Sequence, residues 1–482
     1  MGRAKTLATL GPASNTQEII EKMIKVGLDA VRINMSHGSQ DEHSETIKRA
    51  RAAAKKLDRP LSVLVDLSGP KIRTGLLQNA KSVMLETGAE FVLTSRDIEG
   101  NVNEVSTNFK EIPKLVQKGD KILLDDGAIE LTVKKVTKTD VITTVVNGAM
   151  LSERKGINLP NTKLPIPSLT EKDRRDLEWA MLQDVDYIAL SFVRQGKDCK
   201  EVRDLIKNLN TRKWGRPLLV AKIEKAEAIE NLDDILANTD GVMVARGDLG
   251  VETSVELVPV YQKQIIEKAV MHDKFVITAT QMLQSMIDSP RPTRAEASDV
   301  ANAVWDGTDA VMLSAETAAG NYPVEAVATM ESIIRTAETV KTAKLKRPVK
   351  LSEPPTGRTS QALCKAVAYC AREIMTDKVA VFTESGLMAR RLSSIRSGLS
   401  TFALTNSEEV RNQLSLIWGV EPLIHEAPKT SEEMLKDGEK TLLQANVVKD
   451  GETIVMMAGR LSGLGLSSSV VVWTIGEDTA RR

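Results

Sequence analysis

With 482 residues the chain exceeds the size at which one hydrophobic core stops growing, about 250–300 residues, so more than one domain is expected. Lys and Arg number 65 and Asp and Glu 65, and only 3% of residues are aromatic. That leaves neither the basic field nor the stacking surface that a nucleic acid or an anionic membrane would need. Cys199, Cys364 and Cys370 lack metal-ligand spacing, the four histidines are scattered, and no apolar run approaches the roughly 18 residues of a membrane span, so a cytoplasmic protein with reduced thiols is expected.

The N-terminal part alternates apolar runs and helical patterns. Thr6 to Leu10 reads as a strand, Thr16 to Val26 as a helix with Ser14 and Gln17 in capping-box spacing, and Ala30 to Ser36 as a second strand. A helix opened by Ser39 and Glu42 follows, then a third strand, Leu61 to Ser68. From Gly69 to Pro167 the period changes to two (KSVMLE, EFVLTS, KILL, AIELTVKKV, VITTVV), with Asp126-Gly127 as a hairpin turn. This is an all-β insertion, closed by a Pro-rich passage, Leu159 to Pro167, that reads as a hinge.

The strand–helix rhythm resumes with Thr170 to Leu182 and Tyr187 to Val193. Next comes LLVAKIEKAEAIENLDDILANTDGVMVARGDLG, Leu218 to Gly250. Two apolar strands end in Lys222 and Glu224 and in Arg246 and Asp248, joined by a helix with Ala226, Ile229, Leu232, Ile235 and Leu236 on one stripe. Strands joined by a helix run parallel, so both charged ends are expected on the same edge. Phe275 to Thr280 and Ala310 to Glu316 complete eight strands, each trailed by a helix up to about Ala343. Without the insertion this part spans roughly 250 residues, the usual size of a (β/α)8 barrel.

The expected architecture is therefore α/β: a barrel over residues 1–69 and 168–345, an inserted small β-barrel over 70–167, and an open α/β domain over 346–482. Active sites on barrels sit at the C-terminal ends of the strands. Polar residues keep one parity there: Arg32, Asn34 and Ser36; Asp66; Lys222 and Glu224; Arg246 and Asp248; Thr278 and Thr280; Ser314 and Glu316. Glu224 and Asp248 offer hard oxygen ligands for a divalent metal, and Arg32, Arg73, Arg246 and Lys222 suit an anionic substrate. Gly247, beside Asp248, lets a ligand approach the backbone. No P-loop, Ser/His/Asp set or Cys/His set is present.

The blocks VRINMSHG, GPKIRTG, LLDDG, KGINLP, VAKIEK, VMVARGDLGVE, TATQML, PTRAEASDVANAV and AVMLSAETAAGNYP span nearly the whole chain. Through them the sequence resembles the pyruvate kinase family. The resemblance implies transfer of the phosphoryl group of phosphoenolpyruvate to ADP, giving ATP and an enolate that is protonated to pyruvate. It implies Mg²⁺ or Mn²⁺ on Glu224 and Asp248, Lys222 against the phosphoryl group, and Arg32 and Arg73 on phosphates. Ala245, Arg246, Gly247, Asp248 and Ser314 are expected around the substrate, with Thr280 in the proton relay to the enolate. Asn34, Ser36, Asp66 and Leu67 match a monovalent-cation site, and Pro12, Asn34, His37, Arg73 and Lys155 a nucleotide site. The β insertion then reads as a lid that excludes water, and the chain as a cytoplasmic homotetramer.

After a polar linker, Lys346 to Ser360, further strands are expected at Lys378 to Thr383, Thr401 to Thr405, Thr453 to Ala458 and Val470 to Ile475. In the family this domain carries an effector site, and Thr383, Glu384, Ser385 and Gly386 resemble its phosphate loop; an N-cap by Ser385 explains the same residues. Leu387 and Met388 stand where members responsive to fructose-1,6-bisphosphate have hydroxyls, so a sugar monophosphate or AMP is expected instead. Potassium-requiring members read DTKGPEIRTG where this chain reads DLSGPKIRTG. The ammonium of Lys71 in place of a carboxylate leads us to expect potassium independence.

Overall fold

Eight parallel strands, Lys5–Thr9, Ala30–Asn34, Ser62–Asp66, Tyr187–Leu190, Leu218–Ile223, Gly241–Ala245, Phe275–Ala279 and Ala310–Leu313, pair in chain order, and the last closes on the first. The structure, a computed structural model, describes residues 2–160, 162, 165–213, 215–340, 358–426, 430–460 and 467–477. Strand alternation divides the side chains into two cores. Ile188, Leu190, Leu219, Ala221, Val242 and Val244 face the surrounding helices, whereas Tyr187, Ala189, Leu218, Val220 and Met243 fill the barrel.

The strands stop one to three residues earlier than the sequence suggests, and this redirects several side chains. The sixth ends at Ala245, and Arg246–Glu252 is already helical. The eighth ends at Leu313, so Glu316 lies in the short helix Ala315–Ala318, fully buried, where it accepts from the backbone N–H groups of Ser314 and Leu283. Thr278 has the outward parity of Val276 and hydrogen-bonds Thr308, away from the barrel axis. The helix expected between Lys222 and Gly241 is broken at Asn231 into Ala226–Glu230 and Leu232–Asn238. Thr16, not Ser14, caps the first helix; Ser14 instead accepts from the Gly11 N–H. The box of Ser39 and Glu42 forms as expected.

The insertion forms a curled six-stranded sheet around its own apolar core, with a two-stranded ribbon, Val83–Met84 and Met150–Leu151, beside it. Its hairpin turns on Asp125 and Asp126, both at positive φ. Parts of the hinge over Leu159 to Pro167 and most of the linker over Lys346 to Ser360 lie outside the described residues; Arg358–Glu373 is helical.

The C-terminal sheet has the order Val420–Ile424, Ser400–Thr405, Lys378–Phe382, Thr453–Arg460, Ser467–Thr474, parallel except for the last pair. Val420–Ile424 was not legible in the sequence, because Glu421 and Pro422 break the apolar run; Pro is accommodated there because the strand lies at the edge. This domain plugs the bottom of the barrel. Tyr187, inside it, donates to the carbonyl of Gln413 at 2.5 Å, and Leu414, Leu416 and Ile417 join the barrel's inner core. Among the described residues no helix is long and apolar enough to cross a membrane.

Candidate active site

At the opposite end of the barrel, the inward-facing residues beyond the apolar layers are polar. Arg32 and Asn34 from the second strand, Asp66 from the third and Lys222 from the fifth line one cavity of about 120 Å³ with Glu224 and Asp248. The groups are interlocked. Arg32 Nε donates to Asp66 Oδ2 at 2.7 Å, and Lys222 Nζ stands 2.9 Å from Glu224 Oε1 and 3.4 Å from Asp66 Oδ1. Burial opposes the charge on Lys222, yet Asp66 and Glu224 outweigh it and hold the ammonium's pKa above the ordinary lysine value. Burial likewise opposes ionisation of Asp66, but Lys222 and Arg32 pull its pKa below the usual range.

Glu224 goes the other way. Burial raises its pKa, Lys222 counteracts this in part, and the negative charge of Asp248 adds to the rise. Two carboxylates that repel each other in one cavity, one of them almost fully buried, fit the donor set of Mg²⁺ or Mn²⁺.

Two groups here were missed in the sequence. Ser191 continues the inward parity of Tyr187 and Ala189 one step past the fourth strand, and its hydroxyl receives a hydrogen bond from Lys222 Nζ at 2.8 Å. The next residue, Phe192, donates its backbone N–H to Glu224 Oε2 at 2.7 Å. Applying the alternation inside the expected strand, Tyr187 to Val193, picks out the serine; a backbone donor leaves no trace in sequence.

Arg246 does not face the mouth. In a helix, residues two apart point in nearly opposite directions, so with Asp248 on the cavity, Arg246 turns outward to Asp299 at 2.7 Å and to the Thr280 carbonyl at 2.7 Å. Thr280 sits at positive φ, just beyond the seventh strand, and its hydroxyl accepts from the Gly247 N–H at 2.8 Å while donating to the Ala279 carbonyl. Ala245 keeps inward parity, and Ser314 follows the eighth strand, half-buried.

The comparisons decide what this constellation belongs to. The model of the pyruvate kinase barrel domain matches residues 1–327, and that of the pyruvate kinase alpha/beta domain matches residues 361–472. The chain belongs to the pyruvate kinase family. Pyruvate kinases of Staphylococcus haemolyticus and Staphylococcus aureus are each 40% identical over all of this chain and 82% of their own length. A crystal structure of a pyruvate kinase from Cryptosporidium parvum superimposes with a TM-score of 0.90 at 34% identity, over 98% of this chain and 96% of that one.

The remaining residues expected from pyruvate kinases lie around the same mouth or on the insertion. Arg73, His37, Ser36, Leu67 and Lys71 line the cavity, and Arg73 donates to the Arg154 carbonyl. Partial burial, then Arg73, Lys71 and Arg32, lower the pKa of His37 and favour its neutral form. Lys155 pairs with Asp125 at 2.9 Å, and Pro12 is exposed. Two of the oxygens expected around a monovalent cation have internal donors: Asn34 Oδ1 accepts from the Ser36 N–H, and the Leu67 carbonyl from Ser191. Lys71 is half-buried and makes no ion pair among the described residues.

In the C-terminal domain, Gly386, at positive φ, and not Ser385, takes the N-cap position of helix Leu387–Ser394. The Gly386 N–H is taken by the Thr383 hydroxyl at 3.0 Å, and Ser385 and Glu384 are half-buried on the turn between them. Leu387 is exposed and Met388 buried.

Proposed function

We propose that the barrel mouth carries out Mg²⁺-dependent phosphoryl transfer from phosphoenolpyruvate to ADP, yielding ATP and an enolate that is protonated to pyruvate. The observation that carries this reading is the single cavity in which Lys222, Arg32 and Arg73 face Glu224 and Asp248. A Mg²⁺ or Mn²⁺ ion held by Glu224 and Asp248 would supply positive charge to the substrate carboxylate and enolate oxygen. Lys222 meets the phosphoryl group and offsets charge that develops on it in flight, where a preorganised cation acts most strongly. Arg32 and Arg73 hold phosphate oxygens. The backbone of Ala245, Gly247 and Asp248, with Ser314, receives the substrate, and Thr280 passes a proton towards the enolate. Arg246 acts indirectly, by fixing that backbone.

Pro12, Asn34, His37, Arg73 and Lys155 take the nucleotide, and the inserted sheet closes over the mouth to exclude the water that would otherwise compete as acceptor. The ammonium of Lys71 substitutes for the potassium ion of the Asn34, Ser36, Asp66 and Leu67 site. The turn Thr383 to Gly386 takes a phosphorylated effector, a sugar monophosphate or AMP in preference to a bisphosphate. The exposed Val255, Leu257 and Val260, close together on the barrel's flank, support assembly with further copies, as a homotetramer in the cytoplasm. The test is ATP formation from phosphoenolpyruvate and ADP, abolished by a chelator and restored by Mg²⁺ or Mn²⁺. No ATP with either metal would refute the reading.

A further inference from the structure

We propose that Ser191 is a positioning residue for phosphoryl transfer: from the turn Ser191-Phe192 its hydroxyl fixes the ammonium of Lys222 at the transferred group. The inference rests on the function proposed above.

The hydroxyl has one proton and two acceptors in reach, the Leu67 carbonyl at 2.7 Å and the more distant Asp66 Oδ1 at 3.4 Å. Donation to the nearer carbonyl leaves the lone pairs of Ser191 Oγ for Lys222 Nζ at 2.8 Å. The two other acceptors near Nζ, Glu224 Oε1 at 2.9 Å and Asp66 Oδ1 at 3.4 Å, are carboxylates with further partners. Asp66 is shared with Arg32, and Glu224 is a ligand of the expected metal. Ser191 is the neutral member of the three. A neutral acceptor holds an ammonium in place without cancelling the charge it must present to a phosphate.

The turn itself is unusual. Phe192 has φ 56, a left-handed conformation that a bulky side chain rarely adopts, and its N–H grips Glu224. The surroundings are shaped to accept it. A Cβ on Gly69, itself at φ +67, would stand 2.7 Å from Phe192 Cδ2 and 2.9 Å from Ser191 Cβ, and Ser168 donates to the Phe192 carbonyl at 3.0 Å. One two-residue turn thus holds both the cation and the carboxylate of the central pair. Strained backbone kept by several independent contacts is a means of preorganisation.

Ser191→Ala is expected to lower kcat by about 10- to 100-fold while the Kd of phosphoenolpyruvate stays within about threefold. Ser191→Thr, which keeps the hydroxyl, should recover kcat to within about fivefold. In a Lys222→Met background, Ser191→Ala should change kcat by less than about twofold, because a residue acting only through Lys222 has nothing left to position. An equal loss in both backgrounds would overturn the proposal. The crystal structure of Ser191→Ala gives a readout independent of turnover: Lys222 Nζ should move by more than about 1 Å, out of hydrogen-bond range of its present place. An unmoved Nζ would refute the positioning role whatever the activity, whereas a wild-type protein that makes no ATP would refute the function reading alone. If Ser191→Ala does not fold, Ser191→Cys, nearly isosteric but a far weaker acceptor, carries the same crystallographic test.

Discussion

Arg246 Nη1 reaches Asp299 Oδ1 at 2.7 Å, and the same guanidinium donates to the carbonyls of Ala279 and Thr280, so a residue that looks like a substrate anion clamp in sequence is a tie between two barrel loops. The tie holds the backbone from which Gly247 and Asp248 project. Arg246→Leu should cost about 2–3 kcal/mol of stability, less than a fully buried pair loses, because Asp299 keeps about a third of its surface in water. It should also raise the KM for phosphoenolpyruvate, and Asp299→Asn, which retains a hydrogen-bond acceptor, should do both more weakly. Urea denaturation alongside steady-state kinetics reads the two effects. Unchanged stability with a large loss of kcat would return Arg246 to the chemistry.

Lys71 lines the mouth beside His37, whose pKa it helps to lower, so its charge is felt inside the cavity. The wild-type chain should therefore reach full activity with tetramethylammonium as the sole monovalent cation, and Lys71→Glu should require potassium. Activity measured at constant ionic strength decides the matter. A tenfold or greater rise of wild-type activity on adding potassium would contradict it.

His425 closes the edge strand of the C-terminal sheet, packed edge-on to Phe382 and hydrogen-bonded to Thr441, with its Nε2 buried and without a partner. Burial lowers its pKa, although Asp437 and Glu426 oppose the shift. The folded state then binds fewer protons than the unfolded chain. The resulting contribution to stability is complete above the unfolded pKa of about 6.5 and is lost as pH falls below it, with a slope of at most about 1.4 kcal/mol per pH unit. Denaturation followed by tryptophan fluorescence between pH 7.5 and about 5 should show a steeper dependence of stability on pH in the wild type than in His425→Gln. Parallel slopes would show that His425 titrates normally.

The barrel was legible because alternation of apolar and polar residues is all that a two-sided strand requires, and the same alternation placed Arg32, Asn34, Asp66, Lys222 and Glu224 correctly at the mouth. It misled where strands end. Alternation was carried past Ala245 and Leu313, where the chain turns helical, and so Arg246 and Glu316 were assigned to the wrong side. Thr278 was grouped with Thr280, whose place at the mouth comes from a positive φ and not from strand parity. Ser191 lies within the expected fourth strand, Tyr187 to Val193, but a single hydroxyl between Leu190 and Phe192 does not stand out from an apolar run. The clamp of Phe192 on Glu224 depends on backbone geometry that no side-chain pattern encodes.

The central claim is that Lys222, held between Ser191, Asp66 and Glu224, stabilises the phosphoryl group in flight. Its most direct test is a single-turnover measurement of ATP formation from saturating phosphoenolpyruvate and ADP by wild type and Lys222→Met, with the Kd of phosphoenolpyruvate determined on both. The account predicts a rate lower by at least about 10²- to 10³-fold in the variant at nearly unchanged Kd, because the charge acts in the transition state. A loss of less than tenfold, or one matched by an equal loss of binding, would contradict it.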